Sequence, residues 1–293
     1  MTGVPEPVPV TVAIPTIGRR EPLRRCLVSL ARCSPAPAEL IVVDQSCDPS
    51  IEGLVADASG DLARVVLSHG LGVAKARNDG LRVAEHEVVL VTDDDCTVPR
   101  DWVATGWRLA TLHPGAIVTG QVVPVGDPRA VPSTKEDLLP RDLSSERRGG
   151  WLFGNNMVLP RVAVLELGGF DERFGPEEAA EDNEFCYRWL KARRTLRYEP
   201  SLAVQHHDWR SRDDLERLYV RYARGEGFFY AKHLRRGDLR MLRFLARDLC
   251  WALRGHASGV VNRRESWTDS RRGILRGLPG GLVSGWRCYG REP

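Results

Sequence analysis

Two clusters of carboxylate side chains are the first residues in the sequence whose types and spacing could do chemistry. Asp93, Asp94 and Asp95 follow the apolar run 88–91 after a single threonine, although strands usually avoid Asp. Adjacent carboxylates repel one another, and hard oxygen ligands of this kind suit Mg²⁺ or Mn²⁺. The plainer interpretation is a polar turn before Pro99. Three carboxylates at the end of one apolar strand favour a metal site instead.

The second cluster is the run Glu181-Asp182-Asn183-Glu184, which precedes residues with helical spacing. The plainer interpretation is a helix N-terminus whose acidic side chains complement the helix dipole. Upstream, the sequence Gly168-Gly169-Phe170-Asp171-Glu172 predicts a tight turn before this helix.

Alternating strand and helix patterns must position these clusters. Short Val/Ile/Leu runs predict strands over residues 8–14, 40–43, 64–67, 88–91 and 116–123, and helical spacing predicts helices over residues 21–33, 71–84 and 102–112. Continuous apolar strands separated by helices indicate an α/β fold with a mostly parallel sheet covered on both faces. In such sheets ligands bind beyond the carboxyl ends of the strands.

The residues that follow the first two strands are polar but lack the common nucleotide-binding signatures. Strand one ends in Pro15-Thr16-Ile17-Gly18-Arg19, and strand two ends at Asp44. Neither G-x-G-x-x-G nor G-x-x-x-x-G-K-[ST] occurs after strand one, which disfavours a dinucleotide-binding domain and a P-loop.

Composition predicts a globular protein with two differently charged regions. The 293 residues carry a formal net charge of +3, but residues 211–293 contain 18 Lys or Arg against nine Asp or Glu, a net +9, which leaves −6 for residues 1–210. No apolar run reaches the length of about 20 residues that spans a bilayer, and residues 1–10 do not look like a secretory signal. Seven scattered cysteines without a C-x-x-C pair favour a reducing cytoplasm.

Several short motifs occur in an order that resembles the family 2 glycosyltransferases of the GT-A fold. They are Pro15-Thr16, Val42-Val43-Asp44, Ala76-Arg77-Asn78-x-Gly80, Asp93-x-Asp95 followed by Pro99, and Gly168–Glu172 followed by Glu181-Asp182. The resemblance covers about residues 8–210. It implies metal-dependent, inverting transfer of a sugar from a nucleotide diphosphate sugar, with uridine the favoured base, to an acceptor hydroxyl.

The resemblance also implies which residues hold the donor. Pro15, Thr16 and Arg19 after strand one and Asp44 at the end of strand two match the segments that hold the nucleotide. Arg77 matches the position near the ribose and phosphates. The usual Tyr-Asn after Pro-Thr is replaced here by Ile-Gly, which bears on the choice of base.

The two acidic clusters match the remaining positions of the family. Asp93 is expected at the ribose or metal, Asp95 at the metal, and Asp94 fills the variable position within the donor site. Asp182 matches the general base, and Glu181 beside it is expected within the donor site. The Gly154–Met157 segment, with Asn156, matches the stretch that lines the donor-sugar and acceptor cleft.

A pair of histidines closes the extended segment 201–205. Strand alternation sends His206 and His207 to opposite faces, and a lone His is more often a packed residue than a ligand. The family often has a His here, and its spacing favours His206 as a metal ligand.

The resemblance divides the chain into a catalytic domain over 1–210, with a nucleotide half 8–125 and an acceptor half 126–210, and a basic, mainly helical extension over 211–293. Within 238–254, leucines and arginines fall on separate faces of one helix. Its Leu face could pack on the catalytic domain, or the helix could lie peripherally on the inner face of a membrane. No motif supports nucleic-acid binding.

Two other functions remain open on the same fold. A sugar-nucleotide nucleotidyltransferase usually carries a Gly-rich loop after strand one, whereas residues 14–20 contain one Gly. A non-catalytic nucleotide-sugar binding or scaffold protein would not need Asp93, Asp95 and Asp182. The sugar and the acceptor, whether polysaccharide, lipid-linked sugar, peptide or small metabolite, are not fixed by the sequence.

Overall fold

A computed structural model describes residues 6–127, 131–146, 150–207, 210–257 and 265–290. Its strands are β1 (Val8–Thr16), β2 (Pro37–Asp44), β3 (Ala63–Leu67), β4 (Val88–Thr92), β5 (Cys96–Thr97), β6 (Ile117–Val125), β7 (Arg141–Asp142), β8 (Asn156–Pro160) and β9 (Leu196–His207). Its α-helices are α1 (Arg20–Ala31), α2 (Ser50–Ser59), α3 (Val73–Val83), α4 (Trp102–Leu112), α5 (Arg161–Glu166), α6 (Glu181–Lys191), α7 (Arg212–Arg235), α8 (Arg240–Ala257) and α9 (Glu265–Tyr289).

The strands form one mixed sheet in the order β3-β2-β1-β4-β8-β6-β9-β5, with β7 paired to β9. The first four strands in that order are parallel, as predicted, whereas β8 runs antiparallel to both β4 and β6. The parallel half brings the ends of β1, β2 and β4 to one edge. The α/β fold class predicted from the sequence is confirmed.

Strand alternation builds a hydrophobic core on each face of the sheet. In β1, Val12 and Ile14 pack with α1, α2 and α4, whereas Ala13 packs on the opposite face with α3, α5 and α6. Because both faces are covered, the central strands are apolar throughout, which explains why sequence reasoning found them.

The C-terminal helices dock onto the rest of the chain through a third core. Phe174 and Tyr187 from the body pack with Phe228 and Phe229 of α7 and with Leu278 of α9. Buried ion pairs reinforce the junction: the ammonium of Lys232 lies 2.6 Å from a carboxylate oxygen of Asp171 and 2.6 Å from one of Glu184. The domain boundary at residue 210 stays a prediction, but residues on both sides of it share this core.

Glycines control how α7 packs. The sequence Gly225-x-Gly227 predicts a bend followed by exposed or cleft-lining aromatic residues. That prediction is wrong, because α7 continues through both glycines and the aromatic residues 228–230 within it are buried. A methyl carbon at Gly225 would lie 2.7 Å from the backbone of Ala179 and Ala180, and one at Gly227 would lie 2.8 Å from the backbone nitrogen of Leu282. The two glycines thus let α7 approach the body on one side and α9 on the other.

Helix α9, in a tail that the sequence left unassigned, packs against α7 through a row of glycines. Its members are Gly273, Gly277, Gly281 and Gly285. Gly273 faces Tyr219 and Gly285 faces Phe228, so the two helices run in the same direction. In the described part of the chain, no helix has the combined length and apolar character needed to cross a membrane.

Candidate active site

The residues expected to hold the nucleotide lie where β1 and β2 end side by side. Asp44 pairs in register with Thr16 and is fully buried. Its Oδ1 accepts hydrogen bonds from the backbone N–H (2.8 Å) and hydroxyl (2.6 Å) of Ser46, whereas its Oδ2 has no hydrogen-bond partner among the described residues. Gly18, with φ +84°, comes so close to Ser46 that a Cβ would lie 2.7 Å from that residue's Cβ. A buried carboxylate oxygen without a donor suits an N–H of a bound base.

Asp94, the middle residue of the first cluster, ties two strand-end loops together. It is fully buried, its Oδ2 accepts a hydrogen bond from the hydroxyl of Thr16 (2.6 Å), and both its oxygens accept from the guanidinium of Arg19. Burial raises the pKa of Asp94 to about 6 against the opposing charge of Arg19. Pro15 is buried in β1 beside Val43. Asp94 therefore holds the loop after β1 against the loop after β4.

Asp95 meets His206 because β5 pairs with β9. Cys96 lies opposite His206 in that pairing, and His206 Nε2 lies 3.4 Å from Asp95 Oδ1. Arg19 Nη1 (2.9 Å) and Arg210 Nη2 (3.5 Å) approach Asp95 Oδ2. Burial alone would raise the pKa of Asp95, but the neighbouring His206 and the charges of both arginines hold it well below its usual range.

These residues fit a divalent cation. Among the described residues, one group of three potential ligands brings its donor atoms within 4.8 Å of one another, and its members are Asp95, Cys96 and His206. Burial raises the pKa of the Cys96 thiol well above its usual value, which leaves the carboxylate and the imidazole as the natural donors. His206 Nε2 is buried without a hydrogen bond, as a ligand nitrogen would be. His207 instead lies with Nε2 2.8 Å from the hydroxyl oxygen of Thr97.

Arg77 joins the two acidic clusters, which are far apart in sequence. Its guanidinium is buried in α3, with Nη1 2.6 Å from Glu181 Oε1 and Nη2 3.4 Å from Asp93 Oδ1. Burial opposes its charge, but Asp93 and Glu181 raise the pKa of Arg77. Gly154 leaves room for it, because a Cβ there would lie 2.6 Å from Cζ of Arg77. Asp93 and the start of α6 therefore face one guanidinium.

Asp182 is the half-buried member of the second cluster. Its Oδ1 accepts a hydrogen bond from the backbone N–H of Asn183 (2.8 Å), and its Oδ2 accepts one from that of Gly154 (3.3 Å). Burial and the neighbouring charge of Glu181 raise the pKa of Asp182 to about 7, despite the opposing effect of Arg77. A carboxylate that changes protonation near neutral pH is suited to proton transfer.

The two asparagines of the Gly154–Met157 segment take different places. Asn156 is fully buried. Its Oδ1 accepts a hydrogen bond from the indole N–H of Trp102, and its Nδ2 donates to the carbonyl oxygens of Gln121 and Leu202. Asn155 points toward the candidate metal ligands, with Nδ2 3.5 Å from His206 Nδ1. The structure thus gives Asn156 a scaffold position and places Asn155 next to the site.

Sequence reasoning missed the side chains that α7 and its preceding turn bring to the site. Arg210 contacts Asp95, the hydroxyl of Tyr222 lies 3.0 Å from that of Ser133, and Glu226 Oε1 accepts a hydrogen bond from Asn183 Nδ2 at 2.5 Å. Burial raises the pKa of Tyr222 to about 12. These residues lie outside the recognisable motifs, and only the position of Arg210, four residues after His206, offered a signal.

Comparison with known proteins identifies the family of the chain. The model of Glycosyl transferase family 2 matches residues 11–163, which is more than half of the chain. A Pre-mycofactocin glycosyltransferase from Mycobacterium tuberculosis is 28% identical over 208 residues, covering 67% of this chain and 42% of the relative. A Glucosyl-dolichyl phosphate glucuronosyltransferase from Haloferax volcanii is 27% identical over 184 residues, covering 57% of each protein. The chain therefore spans less than half the length of the mycobacterial relative.

Solved structures share the fold at lower identity. The mannosyltransferase PcManGT from Pyrobaculum calidifontis, in complex with GDP-Man and Mn²⁺, superposes with a TM-score of 0.64 at 20% identity, covering 98% of this chain and 90% of that one. S. aureus TarS 1-349 in complex with UDP-GlcNAc superposes with a TM-score of 0.55 at 15% identity, covering 95% and 84%. These likenesses establish the GT-A fold expected from the motifs.

Proposed function

The chain belongs to glycosyl transferase family 2, and from that premise we propose that it transfers a sugar from a nucleotide diphosphate sugar to an acceptor hydroxyl, with inversion at the anomeric carbon. The observation that carries the proposal is the position of Arg77 between Asp93 and Glu181. It brings the donor-side aspartates to the start of the helix that carries Asp182. Leaving-group stabilisation and proton removal, the two requirements of the reaction, then have residues in one site.

We assign the donor end of the reaction to the residues at the strand ends. The unpartnered Oδ2 of Asp44 accepts a ring N–H of the base, and we favour uridine because the resemblance to family 2 favours it. Asp95 and His206 hold a divalent cation, with Asp93 near the ribose or the metal. An imidazole beside a carboxylate favours Mn²⁺ over Mg²⁺. When bound, the cation offsets charge on the departing diphosphate. Arg19 and Arg210, already beside Asp95, supply positive charge to the same phosphates.

We assign the general base to Asp182. Its Oδ2 is held by the backbone of Gly154, and its deprotonated carboxylate takes the proton from the acceptor hydroxyl as that oxygen attacks the anomeric carbon. Attack from the face opposite the diphosphate inverts the configuration. Tyr222 and Glu226 of α7 line the acceptor side next to Asn183.

Donor binding is tested first, by thermal unfolding with UDP, dTDP and GDP, each with and without Mn²⁺. We expect UDP with Mn²⁺ to stabilise the protein most, because ligands that bind the native state raise its unfolding temperature. Absence of stabilisation by all three nucleotides would contradict the proposal. A larger effect of GDP would reassign the base while leaving the reaction in place.

The role of Asp182 is tested by Asp182→Asn. We expect unchanged stabilisation by UDP and Mn²⁺, together with a loss of transfer of about 10²–10⁴-fold. Glu177→Gln is the matched control, since it removes an exposed carboxylate from the loop before α6 and should keep full activity. Near-normal turnover of the Asp182 variant would exclude it as the base.

A further inference from the structure

Helix α8 presents an apolar stripe to solvent. The stripe, called here the α8 outer stripe, consists of Leu242, Ala246, Cys250 and Leu253, with Leu239 just before the helix. The exposed fractions of Leu239, Leu242 and Leu253 are 68%, 50% and 57%. Their spacing of three or four residues places them on one side of the helix. Exposed apolar side chains in a continuous row mark an interaction surface.

A row of arginines borders this stripe along the helix. Its members, Arg240, Arg243, Arg247 and Arg254, are all exposed. Arg240 pairs with Asp238, and Arg247 lies 3.5 Å from Asp248, whereas no ion pair is found for Arg243 or Arg254 in the described parts of the chain. On a helix these positions lie beside the outer stripe, over an arc of about 60° at 100° per residue.

The inner face of α8 packs against the body with its own apolar residues, so the leucines of the stripe are not needed to form the core. Met241 and Ala252 are completely buried, and Phe244 packs against the third core. The acidic residue of the helix, Asp248, also points inward, where its Oδ2 accepts a hydrogen bond from the hydroxyl of Tyr230 at 2.5 Å. Of the leucines in this segment, Leu245 and Leu249 pack against the third core, whereas Leu239, Leu242 and Leu253 stay exposed.

We propose that the α8 outer stripe and its arginine row bind the surface of an anionic lipid bilayer. The leucines would enter the boundary between headgroups and acyl chains, and the arginines would contact lipid phosphates. Charge complementarity selects this partner. A second copy of the chain would set the same arginine row against itself in a two-fold dimer, and nucleic acid would leave the apolar stripe without a contact. Lipid binding of this kind is independent of the sugar-transfer reaction.

The full-length protein tests the proposal by co-sedimentation with vesicles of phosphatidylcholine and phosphatidylglycerol in a ratio of about 3:1. We expect binding to these vesicles, little binding to pure phosphatidylcholine, and loss of binding at high salt, because screening weakens the arginine contacts. Leu242→Ser/Leu253→Ser and Arg243→Gln/Arg254→Gln should each reduce the partition coefficient by about tenfold or more.

The matched control places the same two changes on another exposed surface. Arg108→Gln/Leu112→Ser alters one arginine and one leucine of α4, both exposed, and should bind vesicles like the wild type. Equal binding by the α8 variants and the wild type would overturn the proposal. A stripe-dependent dimer without vesicle binding would also overturn it and would assign the face to self-association.

A label at Cys250 makes the test site-specific. The described exposed cysteines are Cys47 and Cys250, so the variant Cys47→Ser/Cys288→Ser directs an environment-sensitive fluorophore to position 250. The emission should shift to the blue on anionic vesicles. The same fluorophore on Cys47, in Cys250→Ser/Cys288→Ser, should keep its emission. A shift at both positions or at neither would contradict contact through this stripe.

Discussion

Replacing Gly281 by Ala should destabilise the protein, although Ala is the better helix former. A methyl carbon at Gly281 would lie 2.7 Å from the carbonyl carbon of Arg224 in α7, and closer still to its oxygen. The neighbouring Gly280 has no atom within 4 Å of the corresponding position. The two substitutions therefore make the same chemical change in the same helix and differ only in what the new methyl group meets.

The expected changes in the free energy of unfolding have opposite signs for the two variants. Ordinary van der Waals contact begins near 3.4 Å. To accommodate the methyl group at 281, α7 and α9 must therefore move apart by at least 0.7 Å. The glycines at 277 and 285 hold the same interface, so the strain is not relieved locally. Overpacking of this kind costs about 1–3 kcal/mol, which exceeds the helix-propensity gain of about 1 kcal/mol. Gly280→Ala keeps only the gain and should stabilise by about 0.5–1 kcal/mol.

Urea unfolding followed by circular dichroism measures both changes as shifts of the midpoint at constant slope. Gly281→Ala should lower the midpoint, and Gly280→Ala should raise it. If both variants were stabilised alike, the close approach of α7 and α9 would not exist in solution. If both variants were destabilised, the open space beside Gly280 would be contradicted.

Other outcomes follow from the site and its ion pairs. The kcat/KM should fall as the pH drops below about 7, because the base Asp182 acts deprotonated; a flat profile would remove that assignment. Because the folded-state pKa of Asp182 is raised, its ionised carboxylate destabilises the folded state. Asp182→Asn should therefore raise the free energy of unfolding near pH 8 but not near pH 4, where the carboxyl of the folded wild type is protonated. The reverse pattern would refute the shift. Lys232→Met removes the shared cation of two buried carboxylates and should cost about 3–5 kcal/mol in urea unfolding, whereas Lys191→Met, at a half-exposed ion pair, should cost under about 1 kcal/mol; equal losses would contradict the burial of this network. His206→Gln should weaken Mn²⁺-dependent stabilisation by UDP, whereas His207→Gln should leave it intact; equal effects would exclude a specific ligand.

The architecture was predictable where burial dictates residue type. Strands β1, β2 and β4 are covered on both faces, so their apolar runs are continuous, and the periodicity of α4 predicted its bounds of Trp102–Leu112. Helix α9 could not be predicted in this way, because a row of glycines forms much of its contact with α7. Glycine in a sequence normally indicates a turn or a break.

The site was predictable as a set of motifs but not in its division of labour. The resemblance assigned the metal to Asp95 and the variable position to Asp94, but only the backbone path shows that Asp94 turns toward Thr16 and Asp95 toward His206. Arg77 matched a donor-binding position of the family. In the structure its guanidinium pairs with the carboxylates of Asp93 and Glu181. Tyr222 reaches the site through a long-range contact that no local pattern encodes.

The two glycines of α7 have a consequence for protein engineering. Gly225 sets the helix directly against the loop that leads into Asp182, and Gly227 sets it against α9. Directed evolution of acceptor range should therefore randomise side chains such as Tyr222 and Ser133 while leaving both glycines unchanged. A shortened chain ending at residue 210 would lose the contact between α7 and the loop before Asp182, the proposed general base, so an exchange of the C-terminal helices between relatives should preserve that contact.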